Sequence, residues 1–395
     1  MNFYIFNHIL DDKIISALID FKQNDNHESY YTAARGLIDF STRRLTSCDI
    51  IKEYILRVML ERDNLPDINE LRDYMRHDIK LIYNELLAFD WNSMFRNSGL
   101  LGFNHIRSTP HATGLSSYSK SLESIAECSS NEALGGSILA HIESFGTGKS
   151  AAYSALKWEG GKLIGISHPD DIRFDDLNGL KHQKKVLIAN TEAFVCGKAA
   201  NDVLLTGSSG CGKSSSVKAC LNMFKSRGLR LVELNKSSLD DLPMVFRAIN
   251  NPILKYIIFI DDLSFEPDDM SYKLLKVALD GQAEIRSSNI LIYATSNRRG
   301  LIKETWADRD GYTDEVHRNE GMAERKSLSA RFGINLSFLT PTQNEYLEMV
   351  KSLLAHNDIQ MTDELRAKAL TWQINYNGFS GRSAKQFVSN VLSEI

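Results

Sequence analysis

Apolar residues recur every three to four positions through the first third of the chain. The segments IIKEYILRVMLERDN (50–64) and INELRDYMRHDIKLIYNELLAF (68–89) show this spacing, which predicts amphipathic helices from residue 1 to about 125. The small, polar, glycine-bearing stretch SSNEALGGS (129–137) reads as a loop or linker. From about residue 160 the period changes. Short Val-, Ile- and Leu-rich runs alternate with helical patterns: DVLLTG (202–207), LRLVELN (229–235), YIIFIDD (256–262), NILIYATSN (289–297) and INLSFL (334–339). Such runs predict strands of a mostly parallel sheet covered by helices. Beyond Pro341 the strands stop, and 342–356, 362–375 and 381–393 each carry a helical pattern. The expected organisation is an N-terminal helical domain over 1–128, a linker and entry segment over 129–165, an α/β domain over 166–341 and a small helical domain over 342–395.

Composition narrows the partners. Of 395 residues, 43% are hydrophobic and 24% charged, enough apolar residue to bury real cores. The net charge is −4. Residues 1–150 carry 15 basic and 20 acidic side chains, and residues 151–395 carry 31 and 30, so neither half is a basic arm suited to coating nucleic acid. The five cysteines are scattered without a C-x-x-C pair, which argues against a disulfide scaffold or an ordinary zinc module. The apolar start lacks a basic leader and is interrupted by Asp11, Asp12 and Lys13, and no uncharged apolar run reaches about 18 residues. A soluble cytoplasmic protein without membrane contact is expected.

The sharpest motif is Gly207, Ser208, Ser209, Gly210, Cys211, Gly212, Lys213 and Ser214, matching G-x-x-x-x-G-K-[ST], with Ser215 next. It follows a predicted strand and opens a predicted helix, the context that the chemistry needs. Glycines let the backbone curl so that N–H groups face phosphates, the lysine ammonium reaches the terminal phosphates, and the serine hydroxyl ligates Mg²⁺. The helix adds its positive N-terminal end. A second string, FGTGKS (145–150), looks like the end of such a loop. Glu143 stands where the motif needs its first glycine, so the string reads as a turn in which Lys149 meets an anionic group at most.

Further candidates lie downstream. The run IIFI (257–260) ends in Asp261 and Asp262, placed to hold the Mg²⁺ shell and to orient the attacking water respectively. Aspartate is one methylene shorter than the glutamate common at the second position, so Glu266 is the alternative base and slow hydrolysis the alternative rate. Asn297, at the end of NILIYAT, is placed to bond the γ-phosphate or the water. Arg331 precedes the last strand and suits stabilisation of the transferred phosphoryl group from a neighbouring subunit. Arg382 opens the third C-terminal helix and suits coupling of that helical domain to nucleotide state, ahead of Lys385 one turn later.

Taken in order and spacing, Gly207–Ser214, Asp261–Asp262, Asn297, Arg331 and Arg382 resemble the AAA+ ATPases over 160–395. The strings DDLSFE, YATSNRR, DEVHRNEGMAERKSLSARFG and NGFSGRSAKQF are similar to an uncharacterised bacterial AAA+ family catalogued as a domain of unknown function. The resemblance implies a sheet of order 5-1-4-3-2, a helical lid, and ATP bound between subunits of a homo-oligomer with Leu177, Asn178 and Gly179 near the base. It implies no substrate; the function expected here is an ATP hydrolase that couples Mg-ATP to conformational change acting on an unidentified macromolecular partner, a protein. A slowly hydrolysing, nucleotide-gated switch resembling helicase loaders or replication initiators is the alternative, with Arg298 and Arg299 placed to touch DNA. The charge does not support nucleic acid, and no helix-turn-helix pattern follows the lid. A small-molecule phosphotransferase ranks last, because the lid and Arg331 have no place in it.

Overall fold

A computed structural model describes residues 1–43, 49–63, 71–103, 117–249, 251–265, 271–279, 286–297, 328–375 and 378–393. The chain divides into two compact units, the first built mainly of Met1–Ser154 and the second mainly of His168–Ile249 and Lys255–Ile395.

The first unit is helical. Its helices are α1 (Lys13–Asn24), α2 (His27–Arg43), α3 (Ile50–Leu60), α4 (Arg72–Ile82), α5 (Trp91–Asn97), α6 (Ser117–Ala126), α7 (Asn131–Phe145) and the single turn α8 (Lys149–Ala152). Their apolar stripes meet in one core that includes Ile15, Leu18, Phe21, Ile51, Ile55, Leu122 and Ile138. Buried Asp78 accepts the backbone N–H groups of Tyr4, Ile5 and Phe6 and so ties the N-terminal segment to α4. Buried Arg57 is held between Glu53 and Glu61 of its own helix.

The expected loop at 129–137 is instead the start of α7. The Ser130 hydroxyl caps the helix by accepting from Ala133 N at 3.2 Å, and Leu134, Ile138 and His141 bury one face. That burial outweighs the cost of Gly135 and Gly136 in a helix, about 1 kcal/mol each. The string 145–150 does turn, at Gly146 and Gly148, both with positive φ. The anion that Lys149 meets is Asp63, whose carboxylate accepts from the Lys149 amide at 3.0 Å and lies 3.9 Å from its ammonium.

The second unit holds a seven-stranded sheet. The strands are β1 (Ala155–Glu159), β2 (Lys162–Gly165), β3 (Val203–Gly207), β4 (Leu229–Leu234), β5 (Lys255–Ile260), β6 (Ile290–Ser296) and β7 (Ile334–Phe338). Their spatial order is β2-β1-β4-β5-β6-β3-β7, and every pair from β1 through β7 is parallel. Counted from the strand before the glycine loop, the five strands from β7 across to β4 have the order 5-1-4-3-2. The β1–β2 pair extends the β4 edge and lies within the stretch expected to be linker. Strands β3 to β6 are buried almost throughout, because helices cover both sheet faces, and so they read as mostly apolar runs.

The helices of this unit include α9 (Lys181–Val195), α10 (Lys213–Phe224), α11 (Leu242–Ala248) and α12 (Ser271–Leu279). Three more, α13 (Gln343–Ala355), α14 (Asp363–Asn375) and α15 (Gly381–Ser393), form the C-terminal bundle around Tyr346, Val350, Leu354, Ala369, Ala384 and Phe387. A capping box between Thr342, the residue after Pro341, and Glu345 starts α13. No helix among the described residues is long and apolar enough to cross a membrane.

Candidate functional site

The glycine loop leaves β3 at its C-terminal end, where ligands bind in open parallel sheets. Gly207 has φ +145°, and a Cβ there would lie 2.0 Å from the Phe338 carbonyl oxygen on β7, so no side chain fits. Gly212 caps α10 with φ +91°. The N–H groups of Ser209, Gly210 and Gly212 make no hydrogen bond with a described residue, and they stand at the start of a twelve-residue helix. A curled backbone with uncommitted donors at a helix N-terminus is an anion cradle.

Lys213 is buried, and its ammonium donates to Gly207 O at 2.6 Å, Ser208 O at 2.8 Å and Asn297 Oδ1 at 3.0 Å. Burial pulls its pKa below the ordinary lysine value, while Cys211, Asp261 and Asp262 oppose the shift. Burial also raises the Cys211 thiol. Ser214 Oγ donates to Asp261 Oδ1 at 2.7 Å. Asp262 Oδ1 accepts from Asn297 Nδ2 at 2.8 Å. Thus β3, β5 and β6 deliver the loop, the two acids and the asparagine to one place.

A cavity of about 640 Å³ opens there. Ser209, Gly210, Cys211, Gly212, Lys213, Ser214, Ser215, Asp261, Asp262, Asn297 and Arg382 all line it. Gly207 and Ser208 meet it only through Lys213. The C-terminal bundle closes one side with Met349, Leu353, Arg382, Lys385 and Gln386. Gly381 N donates to Gly210 O at 3.1 Å, so α15 begins against the loop itself. The entry segment supplies Asp176, Leu177, Asn178 and Leu180 to the lining; Leu180, not Gly179, faces the cavity, and it approaches Gly212.

Arg331 is not brought to this cavity. Strands β3 and β7 run parallel with Val203 opposite Ile334 and Gly207 opposite Phe338. Arg331 precedes Ile334 and therefore sits at the opposite end of the sheet from the loop of its own chain. Glu266, Arg298 and Arg299 lie outside the described residues. Thr295, which the sequence pattern did not single out, lies between the two acids: its hydroxyl donates to Asp261 Oδ1 and accepts from Asp262 N. The signal for it was a pair of buried hydroxyl residues, Thr295 and Ser296, ending a strand whose earlier positions are apolar or aromatic.

A family model described as "Protein of unknown function (DUF815)" matches residues 149–395. The chain belongs to this family. Its fold in that region is the AAA+ P-loop ATPase fold, by strand order and loop position. A search of curated proteins finds no match. Among solved structures, the Holliday junction branch migration motor RuvB of Thermotoga maritima is similar, with TM-score 0.35 and 16% identity over 55% of this chain and 71% of that one. A FIGL-1 AAA domain in complex with ADP has TM-score 0.37 and 20% identity over 54% and 70%. The Aeropyrum pernix ORC1 protein in complex with DNA has TM-score 0.41 and 13% identity over 55% and 61%.

Proposed function

We propose that the protein binds Mg-ATP at the glycine loop, hydrolyses it, and uses the accompanying movement of the C-terminal bundle to act on a macromolecular partner as a homo-oligomer. The observation that carries this reading is the convergence of Lys213, Ser214, Asp261, Asp262, Asn297 and Arg382, from four separated segments, on one cavity. The donors fit the proposed ligand. Ser214 Oγ and the Asp261 carboxylate are neighbouring hard oxygens, the set that Mg²⁺ accepts with water completing its shell. The loop amides and Lys213 suit a polyphosphate.

ATP with Mg²⁺ supplies the phosphoanhydride bond that is broken. Lys213 exchanges its contacts with the Gly207 and Ser208 carbonyls for phosphate oxygens. Ser214 and Asp261 hold the metal. Asp262 orients the attacking water and accepts its proton, and Asn297 fixes the Asp262 carboxylate through Nδ2. Leu177 and Asn178 flank the base. Arg382, beside the Gly381–Gly210 hydrogen bond, couples the bundle to the loop. Arg331 serves the site of a neighbouring copy, consistent with its distance from its own loop.

A second reading, a slow nucleotide-gated switch, is favoured by one observation: the short Asp262 side chain is already engaged by Asn297. Single-turnover hydrolysis slow beside nucleotide release would select it, and steeply salt-dependent, ATP-dependent DNA binding would make nucleic acid its partner.

Titration of the full chain with a fluorescent ATP analogue in Mg²⁺ tests the main reading. Wild type is expected to bind, and Lys213→Ala to lose at least about 100-fold in affinity, since a charge-assisted contact to phosphate disappears. Absence of any adenine-nucleotide affinity in the wild type overturns the reading.

A further inference from the structure

Strand β6 is buried at every position, yet its sixth residue is a threonine, 1% exposed. A hydroxyl in the middle of a parallel sheet needs partners, and both of Thr295's partners belong to the site. Its single proton goes to Asp261 Oδ1, and a lone pair of the same oxygen takes the Asp262 N–H at 2.9 Å. Asp261 Oδ1 therefore accepts from two hydroxyls, Thr295 and Ser214, which fixes the rotation of the carboxylate. Oδ2 makes no hydrogen bond with a described residue.

Asp262 has φ +53°, the left-handed region, uncommon for a side-chain-bearing residue though most accessible to Asp and Asn, and its surroundings hold it there. Two bonds to Thr295 do so, Asp262 N to the side chain and Leu263 N to the main-chain carbonyl at 2.7 Å. One residue on the neighbouring strand thus sets the metal-holding carboxylate and the backbone turn that aims the water-orienting one.

We propose that Thr295 is a positioning residue that orients Asp261 for the metal and Asp262 for the attacking water through one shared hydroxyl. The assignment rests on the Mg-ATP reading above. It predicts that the hydroxyl matters to what Mg²⁺ contributes and not to what Lys213 and the loop amides contribute.

The test compares wild type, Thr295→Val and Thr295→Ser as full chains, by fluorescent ATP-analogue affinity in EDTA and in Mg²⁺, by phosphate release across Mg²⁺ concentrations, and by thermal melting without nucleotide. Val keeps the volume and removes both hydrogen bonds. The Val variant is expected to bind within about twofold of wild type in EDTA, to lose most of the affinity gained from Mg²⁺, and to show turnover lower by about tenfold or more with a raised Mg²⁺ requirement. Ser is expected to restore both. Should Val fail to fold, Thr295→Cys, with much weaker hydrogen bonds, takes its place with the same expected directions. A folded Val or Cys variant that matches wild type in Mg²⁺ response overturns the assignment, as does a Ser variant that melts like wild type but restores nothing. A wild type without nucleotide affinity overturns the Mg-ATP reading instead, so the two failures are distinct.

Discussion

Asn297 joins the phosphate-loop lysine to the second acid: its Oδ1 accepts from Lys213 Nζ at 3.0 Å while its Nδ2 donates to Asp262 Oδ1 at 2.8 Å. One amide therefore links the loop ammonium to the carboxylate that follows β5. On the proposed reading, Lys213 turning to a phosphate would release Asn297 Oδ1 while Nδ2 keeps its bond to Asp262.

Asp262→Asn separates binding from chemistry. The amide at 262 no longer accepts a proton from water, while Lys213, Ser214 and Asp261 are unchanged. Turnover is expected to fall by about 10² or more with nucleotide affinity near wild type. Phosphate release beside an equilibrium binding titration checks this, and a variant that turns over normally would move the base elsewhere.

Arg331→Ala addresses the neighbouring copy. Binding is expected to persist and turnover to fall by about 10³. Mixing Arg331→Ala with Lys213→Ala chains is expected to recover part of the activity, because some interfaces then pair an intact loop with an intact arginine. Wild-type turnover in Arg331→Ala would remove the arginine from the site.

Gly207→Ala is a structural prediction. The added Cβ meets the Phe338 carbonyl, which belongs to the β3–β7 ladder and has no room to move. A destabilisation of about 2 kcal/mol or more is expected in the unfolding transition of the α/β unit. A urea melt followed by circular dichroism measures it; an unchanged midpoint would contradict the packing.

Acid is expected to weaken the helical unit through His141. Burial, reinforced by the Arg57 guanidinium, pulls its pKa down to about 4. Its Nδ1 pairs with Ser121 Oγ, and its buried Nε2 has no partner among the described residues. Below the ordinary histidine value near 6.5 the unfolded chain takes up a proton that the folded one refuses. Stability therefore falls as pH drops from about 6.5 to about 4, by a total of up to about 3 kcal/mol. His141→Phe, which keeps an aromatic ring beside Tyr118 and Phe145, is expected to flatten this part of the pH profile in denaturant melts.

The strands were legible because a strand buried on both faces is mostly apolar, and β3 through β6 are, apart from Thr206, Arg230, Glu233, Lys255, Thr295 and Ser296. The glycine loop was legible because its chemistry is local: the φ angles, the donors and the lysine lie within eight consecutive residues. Helix α7 was misread because Gly135 and Gly136 lower local helix propensity, and the cap and buried face that outweigh them depend on packing partners elsewhere in the unit. Thr295 was missed because a threonine is at home in any strand, and only the pairing of β5 with β6 puts it against two carboxylates.

Read alone, the chain determined its period changes, its phosphate-loop chemistry and the order of its acidic and basic candidates, since each is written in neighbouring residues. Tertiary structure decided which candidates meet. Parallel pairing at the C-terminal ends of β3, β5 and β6 gathers Lys213, Asp261, Asp262 and Asn297, while the same pairing sends Arg331 to the far end of β7. The physical reason is that a strand's direction and register, not its composition, fix where the residues at its two ends come to lie.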